Sequence, residues 1–415
     1  MVRPLVVLRA VLAAALLSLL LSAGPVSAAH PPPHPDGSGS GFRHPGVFLG
    51  PDGIERLRRA VREGREPQAG AFRAMRQSPY ATEDYRPHPQ RIVACPPYEN
   101  PPACTAERED ALAAYTQALL HTVTGDPAHA RHAIRIMDAW SKVLVDHTEG
   151  NSGLQAAWAG STWARAAELV RHTYGGWPTA DVRRFEGMLR HAYLGEYTAD
   201  IADYNGNWDL TMIDASMAIA VFLDDREVFD ASVRRFRARV PAYFYLRSDG
   251  PVPAPPPGGT IDTPEEIRTY WFGQQTFVDG LAQESCRNFQ HVGYALAATG
   301  HAAETARLQG LDLYEEVRER LTAAVEFHAR HQLGEPMPQA LCGGRPELTM
   351  GPDMEAVMGH LRGRLRLPMS YGRQLVETER PATTDDLFVA WETLTHGADL
   401  TGPADMVTGH DLPRA

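Results

Sequence analysis

From about Gly46 to about His396, apolar residues recur at three- and four-residue intervals, the period of helices that bury one face. The clearest stretch is EDALAAYTQALLHTVTGDPAHARHAIRIMDAWSKVL. Its first helix is expected to stop at Gly125, with Asp126 capping the next helix and Pro127 in that helix's first turn. Two further segments repeat the helix–turn–helix build, DASMAIAVFLDDREVFDASVRRF and VGYALAATGHAAETARLQGLDLYEEV, without enough identity to count as a sequence repeat. Other helical patterns lie near 52–63, 154–172, 180–194, 310–331 and 384–395, and strand-like alternation is scarce. A dozen or so helices joined by turns predict an all-α fold, an incomplete (α/α) toroid of paired antiparallel helices around a central groove. The longest irregular piece, SDGPVPAPPPGGTIDTPEE (248–266), has the length of a rim or lid.

Outside that body the texture changes. Arg3 and Arg9 precede an apolar run to about Leu21, and small residues close with Val26-Ser27-Ala28, which predicts a cleaved secretory signal peptide over 1–28. An uncleaved membrane anchor is the alternative; no later segment is long and apolar enough to span a bilayer. Residues 29–45, rich in Pro, Gly and Ser, read as a linker, 46–400 as the toroid domain, and 401–415 as a tail. A secreted location suits the four cysteines: Cys95 and Cys104 bracket a Pro-rich loop that a disulfide would staple, whereas Cys286 and Cys342 are either a second bridge or buried thiols. No CxxC or HExxH spacing suggests zinc. The 415 residues are 43% apolar and 22% charged, an ordinary globular composition. A net charge of −11 argues against a nucleic-acid or anionic-membrane partner held by bulk electrostatics.

The chemistry concentrates in QESCRNFQHVGYALAATG (283–300). Read as one helix, it carries Arg287, His291 and Tyr294 at i, i+4 and i+7, within about 40° to 60° of arc. A packed core helix would have to pair each of these polar groups, and Gln283, Glu284 and Gln290 add to the burden. In DYNGNWDLTMIDASMAIAV, Asn205, Asn207 and Trp208 precede a helix expected to open near Asp209. Asn in such a loop serves equally as a turn residue or, beside Trp, as a sugar contact. GNSGLQAAWAGSTWARAAELV offers Asn151, Gln155 and Trp158 at helix-compatible spacing, with Trp158 and Trp163 also suited to the core.

The blocks LQAAWAGSTWARAAELV, NGNWDLTMIDASMAIAVFLDDREVFDASV, QESCRNFQHVGYAL and LQGLDLYEEVRERL together resemble, in order, the alginate-lyase-like polysaccharide lyases over roughly residues 105 to 335. The resemblance implies a secreted helical-toroid enzyme that splits an anionic uronic-acid polymer, alginate or glucuronan, by β-elimination with no metal or other cofactor. It implies that Asn207 and Arg287 neutralise the uronate carboxylate, while Tyr294 or His291 moves the protons. Neighbouring Arg and imidazolium cations would lower the Tyr294 pKa. In the family's usual pattern an Asn-His pair accompanies the Arg and the Tyr seven residues on; here Asn207 is followed by Trp208, and His291 supplies the imidazole. Asn205, Trp208, Asn151, Gln155, Trp158, Tyr204, Gln290 and Tyr371 are the expected substrate contacts. Two other functions compete: a glycoside hydrolase, needing two carboxylates across a cleft from among Asp209, Asp214, Asp279 and Glu284, and a non-catalytic polysaccharide-binding protein.

Overall fold

The computed structural model describes residues 41–198, 201–398 and 400, so the signal peptide expected over 1–28 and the tail over 401–415 lie outside the described residues. The body is helical: α1 (Pro51–Arg62), α2 (Gln68–Gln77), α3 (Pro102–Thr124), α4 (Pro127–Ser141), α5 (Ser152–Thr173), α6 (Thr179–Met188), α7 (Gly206–Phe222), α8 (Arg226–Tyr243), α9 (Pro264–Tyr270), α10 (Phe289–Leu308), α11 (Leu313–Gln332), α12 (Glu355–Met358), α13 (Ser370–Glu379) and α14 (Glu392–Thr395). One short parallel pair, β1 (Ile92–Ala94) and β2 (Asp146–Thr148), is the only sheet among the described residues.

The helices form two layers. α3, α5, α7 and α10 pack side by side as an inner row, and α4, α8 and α11 return antiparallel on the outside. Composition explains the division. α7 reads GNWDLTMIDASMAIAVF and is buried almost all round, the mark of a helix with neighbours on every side. α8 and α11 bury one stripe, including Phe229, Val233 and Phe236 in α8 and Leu313, Val317 and Leu321 in α11, and turn most of their charges outward, Arg239 of α8 being buried against Asp209. This is an (α/α) toroid. The turns are written locally: Gly125 takes a left-handed conformation at φ 76°, and the Asp126 carboxylate accepts from Ala128 N–H at 2.8 Å.

Four sequence expectations are corrected. Residues 283–288 are irregular and α10 opens only at Phe289, because Asn288 caps it there by accepting from His291 N–H at 3.1 Å. α7 opens at Gly206 rather than near Asp209, placing Asn207 and Trp208 in its first turn. The segment 384–395 folds as a turn around the Thr384–Ala390 bridge, with the Asp385 carboxylate accepting from three successive backbone N–H groups, so only α14 is helical. Packing also begins inside the expected linker. At its end Arg43 N–H donates to Gln309 at 2.9 Å and Pro45 is buried, while residues 29–40 lie outside the described residues. Both cysteine pairs are disulfides, Cys95–Cys104 and Cys286–Cys342.

A buried ion cluster ties the inner row to the C-terminal segment. Arg165 of α5 donates to Asp214 of α7 at 2.8 Å and to the Phe388 carbonyl at 3.0 Å; His301 of α10 bridges Asp214 and Glu392. Asp214→Ala would strand the Arg165 charge away from water. A loss of about 3–5 kcal/mol is expected, read as a lower urea midpoint with an unchanged denaturant slope.

Candidate active site

The irregular piece before α10 has a carboxylate at its centre. Glu284 is fully buried. Its Oε1 accepts from Arg287 Nη1 at 2.7 Å, and its Oε2 accepts from Asn207 Nδ2 at 2.6 Å and from the Tyr243 hydroxyl at 3.0 Å. Three parts of the chain, α7, α8 and the 283–288 turn, are thus fixed to one anion. Arg287 is not on the helix that carries His291 and Tyr294, yet its cation still acts on the His291 ring, and the Tyr243 hydroxyl reaches the His291 backbone carbonyl at 3.4 Å. The Arg287 side chain stays 29% exposed. Asn207 differs from expectation: its side chain is buried and its amide is spent on Glu284, so it holds that carboxylate rather than facing solvent.

His291 lies in the first turn of α10. Asn288 Oδ1 accepts both from the His291 backbone N–H and from ring Nδ1 at 2.5 Å. The cap defines that atom as oxygen, so Nδ1 carries the hydrogen and Nε2 presents a lone pair. Burial, and then the Arg287 cation, push the His291 pKa down to about 4. The ring is therefore neutral at pH 7, not the imidazolium the sequence suggested. Tyr294, one turn on, has its ring centroid 5.7 Å from that of His291. Burial, Asp385 and Asp353 raise its pKa, overturning the expected lowering. Asp353 packs so close behind α10 that a Cβ on Gly293 would meet its carboxylate at 2.1 Å.

The remaining residues divide. Trp158 is half-buried and edge-on to Tyr294, with ring centroids 6.5 Å apart. Gln290 is exposed and hydrogen-bonds Tyr294. Trp208 meets the exposed Tyr204 edge-on at 5.2 Å, and the Asn205 carbonyl side-chain oxygen accepts from Gln283 at 3.0 Å. The Pro-rich loop is fastened next to them: Asp203 accepts from the Thr260 backbone and hydroxyl at 2.8 and 2.7 Å. Gln155, against expectation, is fully buried and joins Glu107 to Arg108. Asn151 caps α5 through its carbonyl, which accepts from Gln155 N–H at 3.0 Å, with no side-chain cap bond. Tyr371 pairs with Glu335 between α13 and α11, and no described contact joins it to the other site residues.

One cation was missed. Arg108 of α3 donates to Gln155 and to Asn100 at 2.5 and 2.6 Å, and its guanidinium stands 5.7 Å over the Trp158 ring. It also lowers the Tyr294 pKa. In TAEREDALAAY it sits within a run of charges that reads as a solvated helix face, and only the fold turns it inward. The carboxylates that a hydrolase would need are engaged elsewhere. Asp209 pairs with Arg235 and Arg239, Asp214 with Arg165, Asp279 accepts from Arg247 N–H, and Glu284 is the hub. Cavities of about 880 and 700 Å³ open around α1 and residues 394–398, and none of the site residues lines them.

An alginate lyase family model matches residues 61–254. Among solved structures, a histidine-to-alanine variant of alginate lyase A1-III complexed with tetrasaccharide superposes with a TM-score of 0.61 at 19% identity, covering 86% of this chain and 96% of that one. Alginate lyase A1-III from Sphingomonas species A1 matches with a TM-score of 0.57 at 18% identity, over 86% of this chain and 97% of that one. At such identities the likeness shows the fold. No curated protein sequence matches the chain.

The His291 imidazole should titrate with a midpoint of about 4 in a nuclear magnetic resonance titration. Arg287→Ala should move that midpoint upward, because it removes a neighbouring positive charge that disfavours the imidazolium.

Proposed function

We propose that this chain, an alginate-lyase-like polysaccharide lyase, cleaves its uronic-acid polymer by β-elimination at the Arg287, His291 and Tyr294 site. The observation that carries the reading is a neutral imidazole with a free Nε2 one helical turn from a phenol that stays protonated, beside a guanidinium held by a buried carboxylate.

Arg287 neutralises the uronate carboxylate and so stabilises charge developing at C5. Arg108 offers a second cation near Tyr294. His291 Nε2 takes the C5 proton. The electron pair of that C–H bond becomes the C4=C5 double bond as the C4–O bond breaks. The Tyr294 hydroxyl gives its proton to the departing oxygen, and solvent restores both groups. Trp158 and Trp208 supply apolar platforms for neighbouring sugars.

The stereochemistry follows from the placement. Base and acid rise from adjacent turns of one helix, so they meet the sugar from one side. Such an arrangement suits syn elimination, the relation of H5 and O4 in mannuronate and glucuronate residues, and disfavours guluronate. Polymannuronate and glucuronan are therefore the preferred substrates. An exported enzyme fits these polymers, and two disulfides are consistent with an oxidising destination.

Incubation with polymannuronate, glucuronan and polyguluronate, followed by ultraviolet absorbance of the C4=C5 bond, tests the reaction class. Product from the first two and little from the third is expected; reducing ends without absorbance would indicate hydrolysis, and neither signal would indicate binding alone. Tyr294→Phe should lower kcat by about 10²- to 10⁴-fold with the fold intact, and Arg287→Ala should lower it comparably while also lowering the unfolding midpoint, because Glu284 loses its cation. Because His291 acts unprotonated, the rate should rise with pH through about 4. It should then stay level to beyond the ordinary tyrosine pKa of about 10.

A further inference from the structure

Away from this site, where the N-terminal segment crosses the end of α5, two histidines and a glutamate come together. His44, Glu168 and His172 each offer a ligand atom, and these atoms lie within 4.8 Å of one another. Glu168 is buried, with its side chain 0% exposed, and the structure shows why it is unsatisfied. Its Oε1 accepts from Gly46 N–H at 2.8 Å and contacts His44 Nδ1 at 2.7 Å. Its Oε2 has no hydrogen-bond partner and faces His172 Nε2 at 3.6 Å. A carboxylate oxygen left bare in the interior is costly. The other nitrogen of His44 contacts Asp224 Oδ1 at 3.1 Å.

We infer that His44 Nδ1, the Glu168 carboxylate and His172 Nε2 form a zinc-type divalent cation site, with Asp224 orienting His44. Imidazole and carboxylate together suit Zn²⁺, whose bonds to such atoms run about 2.0–2.2 Å and set neighbouring ligands roughly 3.3 Å apart. The Glu168 contacts are already near that spacing. The two rings stack at 4.4 Å with an interplanar angle of 11°, so binding requires one of them to turn. His172 is the one free to do so: its side chain is 26% exposed and it is on the last turn of α5. Asp224 accepting from the far nitrogen is the carboxylate–histidine–metal arrangement that fixes ring orientation and strengthens the ligand. The carbonyl end of α5 also favours a cation. One coordination position is left for water. The cation would fasten residues 42–50 to α5 and to the α7–α8 turn. No local motif announced it, because His44 lies 124 residues from Glu168.

The test adds ZnCl2 to the full chain after chelator treatment and dialysis, followed by calorimetry and thermal unfolding. One ion per chain is expected, with the unfolding midpoint raised by about 3–4 °C when free Zn²⁺ is a hundredfold above Kd. His172→Ala, at an exposed position, should fold normally and keep its elimination rate while losing at least tenfold in affinity. His44→Gln should do the same to affinity. Absence of stoichiometric uptake by the wild-type chain, or equal uptake by His172→Ala, overturns the assignment. The elimination assay is independent of either result.

Discussion

A single buried negative charge organises the candidate site. Glu284 has no solvent to stabilise it, so its two oxygens must be satisfied by the protein, and Arg287, Asn207 and Tyr243 satisfy them. The consequence runs in both directions. The carboxylate holds the arginine, whose side chain stays 29% exposed. An uncompensated charge there would be expensive, so the three partners are locked by the same electrostatic requirement. Asn207 joins the candidate site through this hub, although its own side chain is buried in α7.

The buried ion cluster of Arg165, Asp214, His301 and Glu392 has a comparable role deeper in the fold. It joins α5, α7 and α10, the helices that carry Trp158, Asn207 and Tyr294. Together the two networks fix the inner row laterally and near the site, while apolar packing fixes it elsewhere. The outer helices cover this row, and the candidate residues Asn207 and His291 sit in the first turns of α7 and α10.

Periodicity made the helices legible. Gly125, Asp126 and Pro127 ended one and began the next as their local chemistry dictates. It failed where a polar residue competed for the backbone. Asn288 looked like one more position in a continuous helix, but its side chain accepts the N–H that continuation would have left to a carbonyl, so the helix starts there. The same failure moved Arg287 off the stripe, although its charge still acts on the His291 imidazole. Asp385 similarly gathers three N–H groups and prevents a helix across 384–391. Electrostatic environments were not legible at all. Whether Tyr294 meets cations or carboxylates depends on Asp353 and Asp385, 59 and 91 positions away in sequence. Arg108 escaped notice for the same reason.

The double use of Asn288 Oδ1 makes secondary structure and reactivity a single variable. The atom that starts α10 is the atom that keeps hydrogen on one side of the imidazole and a lone pair on the other. Were the first turn to fray, both tautomers would become accessible and the ring would rotate freely. Helix initiation at this point therefore also sets which ring nitrogen of the proposed base bears the lone pair, and local melting would release that setting without unfolding the toroid.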